Sequence, residues 1–439
     1  MRIVMAVSGT RGDVQPAVVL GAELAERGHH VMMAVPPNLV DLARRAGLES
    51  VPFGYDTREH MNSDLVRHGL SRGSVVDRAR ALAELWNFGW DQMVTELRDV
   101  VETTAPDVLL TGITTEQIAL PLAEARGIGL VALHHAPVRS NAQYSPVPGT
   151  DGAPSVVIGL AWTVLDHVLW AATRWRENAL RRSLGISTVS SPLPGRIARR
   201  GSVEIQAYDR VLCPELAADW DGTRPLTGFL DVSPELRVRM DPQPSDPSLE
   251  AWIDDGTPPV YVGFGSMPVT NPAAVVAAVA DAAARVGERV LLCAGWNDVD
   301  SAGPLGDHVR VTGAVDHAAV FPRCRAVVHH GGAGTTAAGL RAGRPTVVCS
   351  VSSDQPFWGR RVVALSCGAA MAASDITAES LEKALRLALE PAAAAGAAAV
   401  AAAMTSPEEA VRRAADLVES ARRAPKDAVL RAPKDAVVA

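Results

Sequence analysis

The sequence predicts an α/β protein made of two consecutive Rossmann-like halves, each a parallel sheet wound with helices. Short apolar runs typical of buried strands alternate with helical patterns along the chain. One series begins at residues 3–7, and a second series of similar size begins at residues 260–266. A stretch rich in Pro, Asp and Gly separates the two series at 219–247, as at a domain boundary. We therefore expect two domains that face each other across a ligand-binding cleft.

Composition limits the class of protein. The chain has 439 residues, of which 48% are hydrophobic and 21% charged, enough for about two or three globular domains. A net charge of -7 argues against a broad electrostatic attraction to nucleic acid or anionic lipid. Five cysteines are scattered without C-x-x-C spacing, as expected of buried thiols in a reducing compartment.

The amino terminus and the longest apolar stretch favour a cytoplasmic protein. The apolar run at 3–7 is too short for a signal peptide. The stretch at 156–175 is interrupted by Asp166 and His167, so no uninterrupted apolar run has transmembrane length. We expect at most a transient, peripheral contact with the inner face of a membrane. The oligomeric state is not determined by these features.

In the first β-α-β unit, the opening strand is followed by the turn Ser-Gly-Thr-Arg-Gly-Asp-Val-Gln-Pro. Pro16 is expected as the first helical residue, and Gly28 as the cap that ends the helix before a strand at 31–35. The glycines of this turn lack G-x-G-x-x-G spacing, so no dinucleotide fingerprint is present. Asp13 follows the first strand at its carboxyl end, where open α/β sheets bind their ligands. The structural alternative is that Asp13 only stabilises the helix dipole near the N-cap.

Further strands and helices complete the first half, and the last strand is expected at 211–213. The pattern predicts a strand at 108–110, a helix at 116–125, a strand at 130–133 and a helix at 156–182. His134 and His135 follow a strand at its carboxyl end, which makes them candidates for acceptor contacts.

Tryptophans recur at helical spacing in the first half. Trp86 and Trp90 lie four residues apart, and Trp162 lies in the helix at 156–182 among other apolar residues. Such aromatic stripes usually belong to a core. The functional alternative is an apolar acceptor groove lined by Trp86 and Trp162.

The second half contains a glycine-rich turn that favours an anion. The pattern predicts strands at 260–266, 289–293, 309–312 and 346–349, with a helix at 272–285. The stretch AVVHHGGAGTTAAGLRAG at 326–343 predicts a buried strand, a turn and a helix. Glycines allow a close approach of the backbone, and the first N–H groups of the helix point at the ligand unpaired. A phosphate therefore suits this turn, with His329 or His330 as an imidazole donor and Thr335 and Thr336 as hydroxyl donors. The alternative is a turn whose glycines serve only tight packing.

The carboxyl terminus contains one more helix and a short repeat. Ser406 is expected to cap a helix that runs to about 422. The segment RAPKDAV then occurs twice within 423–439, which is typical of a disordered tail.

Four motifs in this order resemble those of the family 1 glycosyltransferases of the GT-B fold. They are GTRGDVQP at 9–16, VGFGSM at 262–267, HHGGAGTTAAGLRAGRP at 329–345 and SDQPFWGRR at 353–361. The resemblance covers the chain to about residue 420. It implies an acceptor-binding domain at 1–218, a linker at 219–250, a nucleotide-sugar-binding domain at 251–405 and a terminal helix at 406–422 that packs back on the first domain.

Within that superfamily, the chain is similar to actinobacterial enzymes that glycosylate lipopeptides and antibiotics, especially the mycobacterial glycopeptidolipid glycosyltransferases. Such relatives transfer deoxysugars, often rhamnose or 6-deoxytalose, from a TDP-sugar. The resemblance thus implies a nucleotide-sugar donor and a lipopeptide, polyketide or peptide acceptor, with no cofactor.

The resemblance also implies roles for individual residues. Asp13 would be the general base, and His330 would donate to the donor diphosphate. Asp354 and Gln355 would hold sugar hydroxyls, and Trp296 would flank the nucleotide base, although the Trp-Asn-Asp sequence there replaces a glycine of some relatives. The other donor-binding residues that it implies are Thr10, Arg11, Gly12, Ser266, Val315, Gly332, Gly334 and Thr335.

These residue types suit metal-free inversion at an anomeric carbon. A carboxylate can take the acceptor proton as the oxygen attacks, while helix N–H groups and an imidazole stabilise the departing diphosphate. The D-x-D at 298–300 lies in a polar stretch typical of a solvated turn, so no metal site is expected. The alternatives are a UDP-glucose-dependent enzyme for sterols or other apolar alcohols, a sugar-nucleotide 2-epimerase and a nucleotide-binding regulator without chemistry.

Overall fold

The computed structural model describes residues 1–62, 88–147, 150, 152–220, 222–241, 246–265, 272–293 and 305–421. Several residues and segments that the sequence analysis singled out lie outside this part of the chain. They are Trp86, Ser266, Trp296 and the D-x-D at 298–300, together with the terminal repeat.

Within the described residues, twelve strands form two six-stranded sheets in which every pairing is parallel, in the orders β3-β2-β1-β4-β5-β6 and β12-β11-β10-β7-β8-β9. The predicted fold class, two Rossmann-like α/β domains of the GT-B type, is confirmed. The strands are β1 (Arg2–Ala6), β2 (His30–Val35), β3 (Glu49–Pro52), β4 (Val108–Gly112), β5 (Gly129–His134), β6 (Val203–Gln206), β7 (Val260–Gly263), β8 (Val290–Cys293), β9 (Val309–Thr312), β10 (Ala326–His329), β11 (Thr346–Ser350) and β12 (Gly368–Ala372).

The helices cover both sheets and link them. In the first domain they are α1 (Arg11–Glu26), α2 (Val40–Arg45), α3 (Thr57–Asn62), α4 (Trp90–Thr104), α5 (Glu116–Arg126), α6 (Ser155–Ser183), α7 (Leu193–Arg199) and α8 (Leu216–Asp219). The linker region and the second domain contain α9 (Pro234–Met240), α10 (Pro247–Asp254), α11 (Pro272–Val286), α12 (His317–Val320), α13 (Ala333–Arg341), α14 (Gln355–Ala364), α15 (Ala378–Ala388) and α16 (Pro391–Ala403), and α17 (Pro407–Ser420) ends the described chain.

The start of α1 differs from the prediction. α1 begins at Arg11, so Pro16 lies inside the helix and its prediction as the first helical residue was wrong. The start is set by a capping box in which Thr10 and Asp13 bond reciprocally, which outweighs the preference of proline for a first turn. α13 begins at Ala333, so Thr335 and Thr336 belong to its first turn.

The final strand of the first sheet is Val203–Gln206, and the prediction of a strand at 211–213 was wrong. Those residues form a turn in which Leu212 N donates to the Asp209 carbonyl at 3.1 Å. Leu212 and Cys213 are buried in the contact between the domains, and this burial accounts for the apolar run at these positions. A short apolar run alone does not distinguish that environment from a strand.

A cluster of buried side chains around Trp358 joins the two domains. Trp358 on α14 is fully buried and lies 5.7 Å, between ring centroids, from both Tyr208 and Phe229 of the first domain and linker region. The Arg361 Nε donates to the Leu212 carbonyl at 2.6 Å, which adds a polar contact at the edge of the cluster.

α17 packs against α1 of the first domain. His29 and Glu419 are in contact at 2.7 Å between Nε2 and Oε1, and Ala410 and Val418 belong to the same buried cluster as Ile3. The chain therefore crosses between the domains a second time after the linker.

We predict that Trp358→Ala lowers the free energy of unfolding by about 3–5 kcal/mol, the range for removal of a large buried aromatic side chain. Urea denaturation measures this change. Trp175→Ala is the matched control, because Trp175 is 63% exposed, and we expect a change within about 0.5 kcal/mol for an exposed site. Equal effects of the two substitutions would contradict the role of Trp358 in joining the domains.

Candidate active site

Asp13 lies in the first turn of α1, immediately after the carboxyl end of β1. Its Oδ2 accepts hydrogen bonds from Thr10 N at 2.7 Å and from Thr10 Oγ1 at 3.2 Å. Gly9 has a φ of 146°, and a Cβ at that position would lie 2.3 Å from Asp13 Oδ2. The glycine is therefore required both by its own backbone conformation and by the close carboxylate. Burial raises the pKa of Asp13, although the hydrogen bonds from Thr10 oppose this increase.

Two neighbours of Asp13 come from other strand ends of the same sheet. The pKa of Tyr55, which follows β3, is raised by burial and by the negative charge of Asp13. His135, which follows β5, has its pKa lowered to about 4, chiefly by burial, while a hydrogen bond to the Asp13 backbone opposes the decrease. The imidazole of His135 is consequently neutral at pH 7. The sequence analysis did not identify Tyr55. Its position shortly after β3, at the edge of the sheet where Asp13 also lies, could have indicated a site residue.

Tyr55 belongs to a small aromatic cluster at the edge of the first domain. Its ring centroid lies 4.7 Å from that of His60 and 4.6 Å from that of Phe88. Phe88 stacks on His60 at 4.3 Å and is 42% exposed. An apolar, partly open surface therefore lies next to the carboxylate of Asp13.

The glycine turn of the second domain holds His330 at the start of α13. A Cβ on Gly332 would lie 2.6 Å from His330 Nε2, and one on Gly265 would lie 3.2 Å from His330 Cε1. The ring thus occupies space that two glycines leave free. A Cβ on Gly334 would meet nothing within 4 Å, so the first turn of α13 borders open space. The unpaired N–H groups at the start of α13 and His330 Nε2 can therefore donate hydrogen bonds to an anion bound at this turn.

The histidines of this turn are neutral. Burial, and then the proximity of His317, lower the pKa of His330 to about 4. The preceding His329 is fully buried, and its Nδ1 accepts from Gly331 N at 2.8 Å. This bond leaves the proton of His329 on Nε2, which has no hydrogen-bond partner among the described residues. A neutral His330 can still donate a hydrogen bond.

Asp354 reaches the cleft from the second domain, at the start of α14. Its Oδ2 accepts from Trp358 Nε1 at 2.8 Å, which links this carboxyl group to the cluster between the domains. Burial raises the pKa of Asp354 to about 6, and the negative charge of Asp13 adds to the increase. The carboxyl groups of the two domains therefore lie close enough across the cleft for their charges to interact.

Gln355 is buried, and its side-chain carbonyl oxygen is used within the protein. Oε1 accepts from Val351 N at 2.7 Å and from Ser352 N at 3.2 Å, and so holds the loop between β11 and α14. Only the Nε2 group of Gln355 remains for a ligand.

Arg11 and Val315 lie where the two domains approach each other. The Arg11 Nη1 donates to Asp241 Oδ2 at 3.0 Å, and Nε donates to Gln15 at 2.8 Å. The positive charge of Arg11 contributes to the low pKa of His317, which burial dominates. Val315 is partly buried two residues before His317, in the loop that follows β9.

Of the four residues predicted to contact the acceptor, the three that the structure describes lie in different surroundings. His134 is fully buried, with Nε2 at 2.6 Å from Glu116 Oε1 and Nδ1 at 3.0 Å from Gln206 Nε2. Trp162 is also buried, and its Nε1 donates to the Tyr144 carbonyl at 2.9 Å. Since the polar atoms of both side chains are occupied, this geometry gives no support to direct acceptor contacts. His135 does lie beside Asp13, and Trp86 is outside the described residues.

Comparison with known proteins identifies the family. Residues 3–88 match the glycosyltransferase family 28 N-terminal domain, and residues 277–418 match the C-terminal domain of erythromycin biosynthesis protein CIII-like proteins. An uncharacterized glycosyltransferase of Mycobacterium tuberculosis is 42% identical over 424 residues, covering 96% of this chain and 99% of the relative. A sterol 3-beta-glucosyltransferase of Arabidopsis thaliana is 29% identical over 89% of this chain and 61% of the relative.

Solved structures with the same fold cover nearly the whole chain. The glycotransferase of kitacinnamycin superimposes with a TM-score of 0.71 at 23% identity, over 96% of this chain and 99% of its own. The spinosyn rhamnosyltransferase SpnG, complexed with thymidine diphosphate, has a TM-score of 0.59 at 20% identity, over 94% of this chain and 100% of its own. The cleft with its opposed carboxyl groups and glycine turn is thus that of a glycosyl-transferring enzyme, and the chain belongs to the family 1 glycosyltransferases of the GT-B fold.

We predict that Asp13→Asn lowers the pKa of Asp354 from its value of about 6. Removing a nearby negative charge makes ionisation of an acid easier, so its titration midpoint moves to lower pH. Carbon-13 NMR of aspartate-labelled protein measures the midpoint, with Asp354→Asn assigning the resonance. Asp41→Asn, at a side chain that is 81% exposed, is the control and should leave the midpoint unchanged. An unchanged midpoint in Asp13→Asn would show that the two carboxyl groups do not interact across the cleft.

Proposed function

We propose that the protein is an inverting glycosyltransferase that moves a 6-deoxyhexose, such as rhamnose or 6-deoxytalose, from a TDP-sugar to a hydroxyl of a lipopeptide or natural-product acceptor. The observation that carries the proposal is the opposition of Asp13 in one domain to an anion-binding turn and Asp354 in the other. The thymidine diphosphate bound to SpnG, a rhamnosyltransferase of the same fold, supports the choice of donor.

Asp13 acts as the general base in this proposal. Its raised pKa suits proton acceptance, because burial makes the carboxylate a stronger base than an exposed aspartate. Thr10 fixes one carboxylate oxygen through two hydrogen bonds and so orients the other. As the acceptor oxygen forms its bond to the anomeric carbon, its proton passes to Asp13 and the bond to the diphosphate breaks. Attack from one face inverts the configuration.

The leaving diphosphate is stabilised by the turn before α13 and its first helical residues. We assign the free N–H groups at the start of this helix and His330 Nε2, which lies beside Gly332, to the negative charge that grows on the diphosphate during the reaction. His330 donates as a neutral imidazole, so it changes no charge during the step. These donors allow the reaction without a metal, and we assign the enzyme neither a metal nor another cofactor.

Asp354 and the amide nitrogen of Gln355 are assigned to the sugar hydroxyls. Asp354 is held by Trp358, and Gln355 offers Nε2 because its oxygen is occupied. Val315 is assigned to one face of the nucleotide base, and Thr10, Arg11 and Gly12 to the donor side of the first domain. Gly334 and Thr335 complete the diphosphate site.

The aromatic surface of Tyr55, His60 and Phe88 is assigned to the acceptor, together with His135. Tyr55 and His135 both interact with Asp13, and His60 packs against Tyr55, so these side chains lie near the assigned base. Aromatic rings bind apolar or planar parts of a natural product through their faces.

A UDP-glucose-dependent sterol glucosyltransferase is the second candidate. The relative from Arabidopsis thaliana favours it at 29% identity, and an aromatic acceptor surface also suits a flat alcohol. Membership of a glycosyltransferase family argues against the 2-epimerase and the non-catalytic regulator. We further propose a cytoplasmic location, which five buried free thiols support.

We predict that Asp13→Asn retains donor binding but loses transfer by about 100-fold or more, the scale of general-base catalysis. Single-turnover kinetics with a TDP-deoxyhexose and an accepting alcohol measures the rate, and calorimetry measures donor affinity. Asparagine still accepts from Thr10, so the helix start is preserved, and Asp41→Asn is the exposed control. Turnover near that of the wild type would refute the assignment of the base.

We predict that TDP raises the melting temperature more than UDP or GDP does, since a ligand that binds only the folded state stabilises it. His330→Ala should reduce the increase produced by TDP, because one donor to the diphosphate is lost. His308→Ala is the control, at a half-buried histidine whose Nε2 lies 3.0 Å from the Ala280 carbonyl oxygen. A larger increase with UDP would favour the sterol glucosyltransferase, and an unchanged TDP increase in His330→Ala would contradict the phosphate role.

A further inference from the structure

The outer face of helix α6 presents a continuous apolar stripe. Six large apolar side chains of this helix are between 51% and 83% exposed. The other exposed large apolar side chains of the described chain are spread over many elements. The six on this helix are Val156, Val157, Leu160, Val164, Val168 and Trp175. Spacing of three, four and seven residues places most of them on one side of the helix. We call this set the α6 stripe.

The opposite face of α6 is anchored in the first domain by buried polar contacts. Glu177 is fully buried and accepts two hydrogen bonds from Arg196, at 2.5 and 2.7 Å. Thr173 Oγ1 accepts from Gln117 Nε2 at 2.6 Å. Moving this face of α6 into the hydrocarbon of a bilayer would separate Glu177 from Arg196 and leave buried charges unpaired, at a large cost in free energy.

These contacts decide how α6 can meet a membrane. By length and composition, α6 is the one single helix of the described chain that could cross a bilayer, and only 22% of its most apolar window is buried. The bent pair of α15 and α16 passes the same test only if the two are joined across an angle of 63°. Because one face of α6 is committed to the domain, the helix can lie in the plane of a membrane interface but cannot span it.

The carboxyl-terminal end of the stripe carries the groups that suit phospholipid headgroups. Arg174 and Arg182 are exposed there, and with Trp170 and Trp175 they line a cavity of about 400 Å³. Tryptophan rings favour the headgroup level of a bilayer, and guanidinium groups pair with phosphates. The one acidic residue of the apolar part of the helix, Asp166, is only partly exposed, and its pKa, which burial raises, also responds to the charge of Arg139 inside the domain.

We propose that the α6 stripe docks the enzyme on a phospholipid bilayer that contains anionic lipid. The valine and leucine side chains enter the boundary between headgroups and acyl chains, Trp175 lies at the headgroup level, and Arg174 and Arg182 contact phosphates. The net charge of -7 opposes binding only weakly, because charges more than about 8 Å away are screened at physiological salt. The local arginine pair therefore determines the electrostatic preference.

The docked helix is connected to the cleft. Trp162, on the inner side of α6, donates to the Tyr144 carbonyl at 2.9 Å. The Tyr144 ring lies 5.2 Å from that of Phe357, the neighbour of Trp358 on α14. A membrane-bound α6 would thus fix the cleft wall relative to the bilayer, which suits an acceptor with a lipid part.

Vesicle sedimentation tests the proposal without donor or acceptor, so its outcome is independent of the proposed reaction. The wild type should sediment with vesicles of phosphatidylcholine and phosphatidylglycerol. Leu160→Ser, Val164→Ser and Val168→Ser together should weaken binding by at least about tenfold, since three apolar side chains no longer enter the bilayer. The matched control carries Val238→Ser, Val363→Ser and Leu387→Ser, three exposed apolar residues on other helices, and should bind like the wild type.

The arginines are tested separately. Arg174→Gln with Arg182→Gln should weaken binding to vesicles with phosphatidylglycerol by roughly ten- to thirtyfold at low salt, and should alter binding to pure phosphatidylcholine much less. Melting temperatures and circular dichroism spectra of all variants verify that each remains folded. A wild type that stays in solution with both vesicle types overturns the proposal, as does a stripe variant that binds undiminished. A wild-type dimer in sedimentation velocity that the stripe variant dissociates would assign the stripe to a second copy instead.

Discussion

The position of Trp358 is the constraint on which the active-site cleft depends. Its ring fills the contact between the domains against Tyr208 and Phe229, and its indole N–H holds the carboxyl group of Asp354. One side chain therefore joins the domains and orients a cleft residue. Because the same ring is part of the core and part of the site, the distance between the two domains and the geometry of the donor side are set together.

Desolvation gives the cleft its chemical character. Burial raises the pKa of both Asp13 and Asp354, and it lowers the pKa of His135 and of His330 to about 4. The two acids thereby become better bases, and the two imidazoles remain neutral donors at pH 7. This combination suits a reaction in which one group must accept a proton while another must stabilise growing negative charge. The positive end of the α13 dipole lies at the same turn as His330 and favours negative charge there.

The two domains contribute in different ways because their strand ends carry different residues. In the first domain, a capping box and a glycine position the carboxylate of Asp13, and an aromatic cluster lies beside it. In the second domain, glycines leave room for an imidazole and for an anion. The aromatic cluster at Tyr55 belongs to the first domain alone, so the two sides of the cleft differ in chemical character.

The sequence by itself determined the parallel α/β class, the division into two domains and the location of Asp13 and the glycine turn. These features are local, because apolar period, glycine spacing and position after a strand are written in neighbouring residues. The tertiary structure alone decided that residues 211–213 pack between the domains instead of forming a strand, and that His134 is enclosed while His135 meets Asp13. It also decided the pKa of Asp354. Each of these depends on groups distant in the sequence, whose contacts and desolvation exist only after the chain has folded.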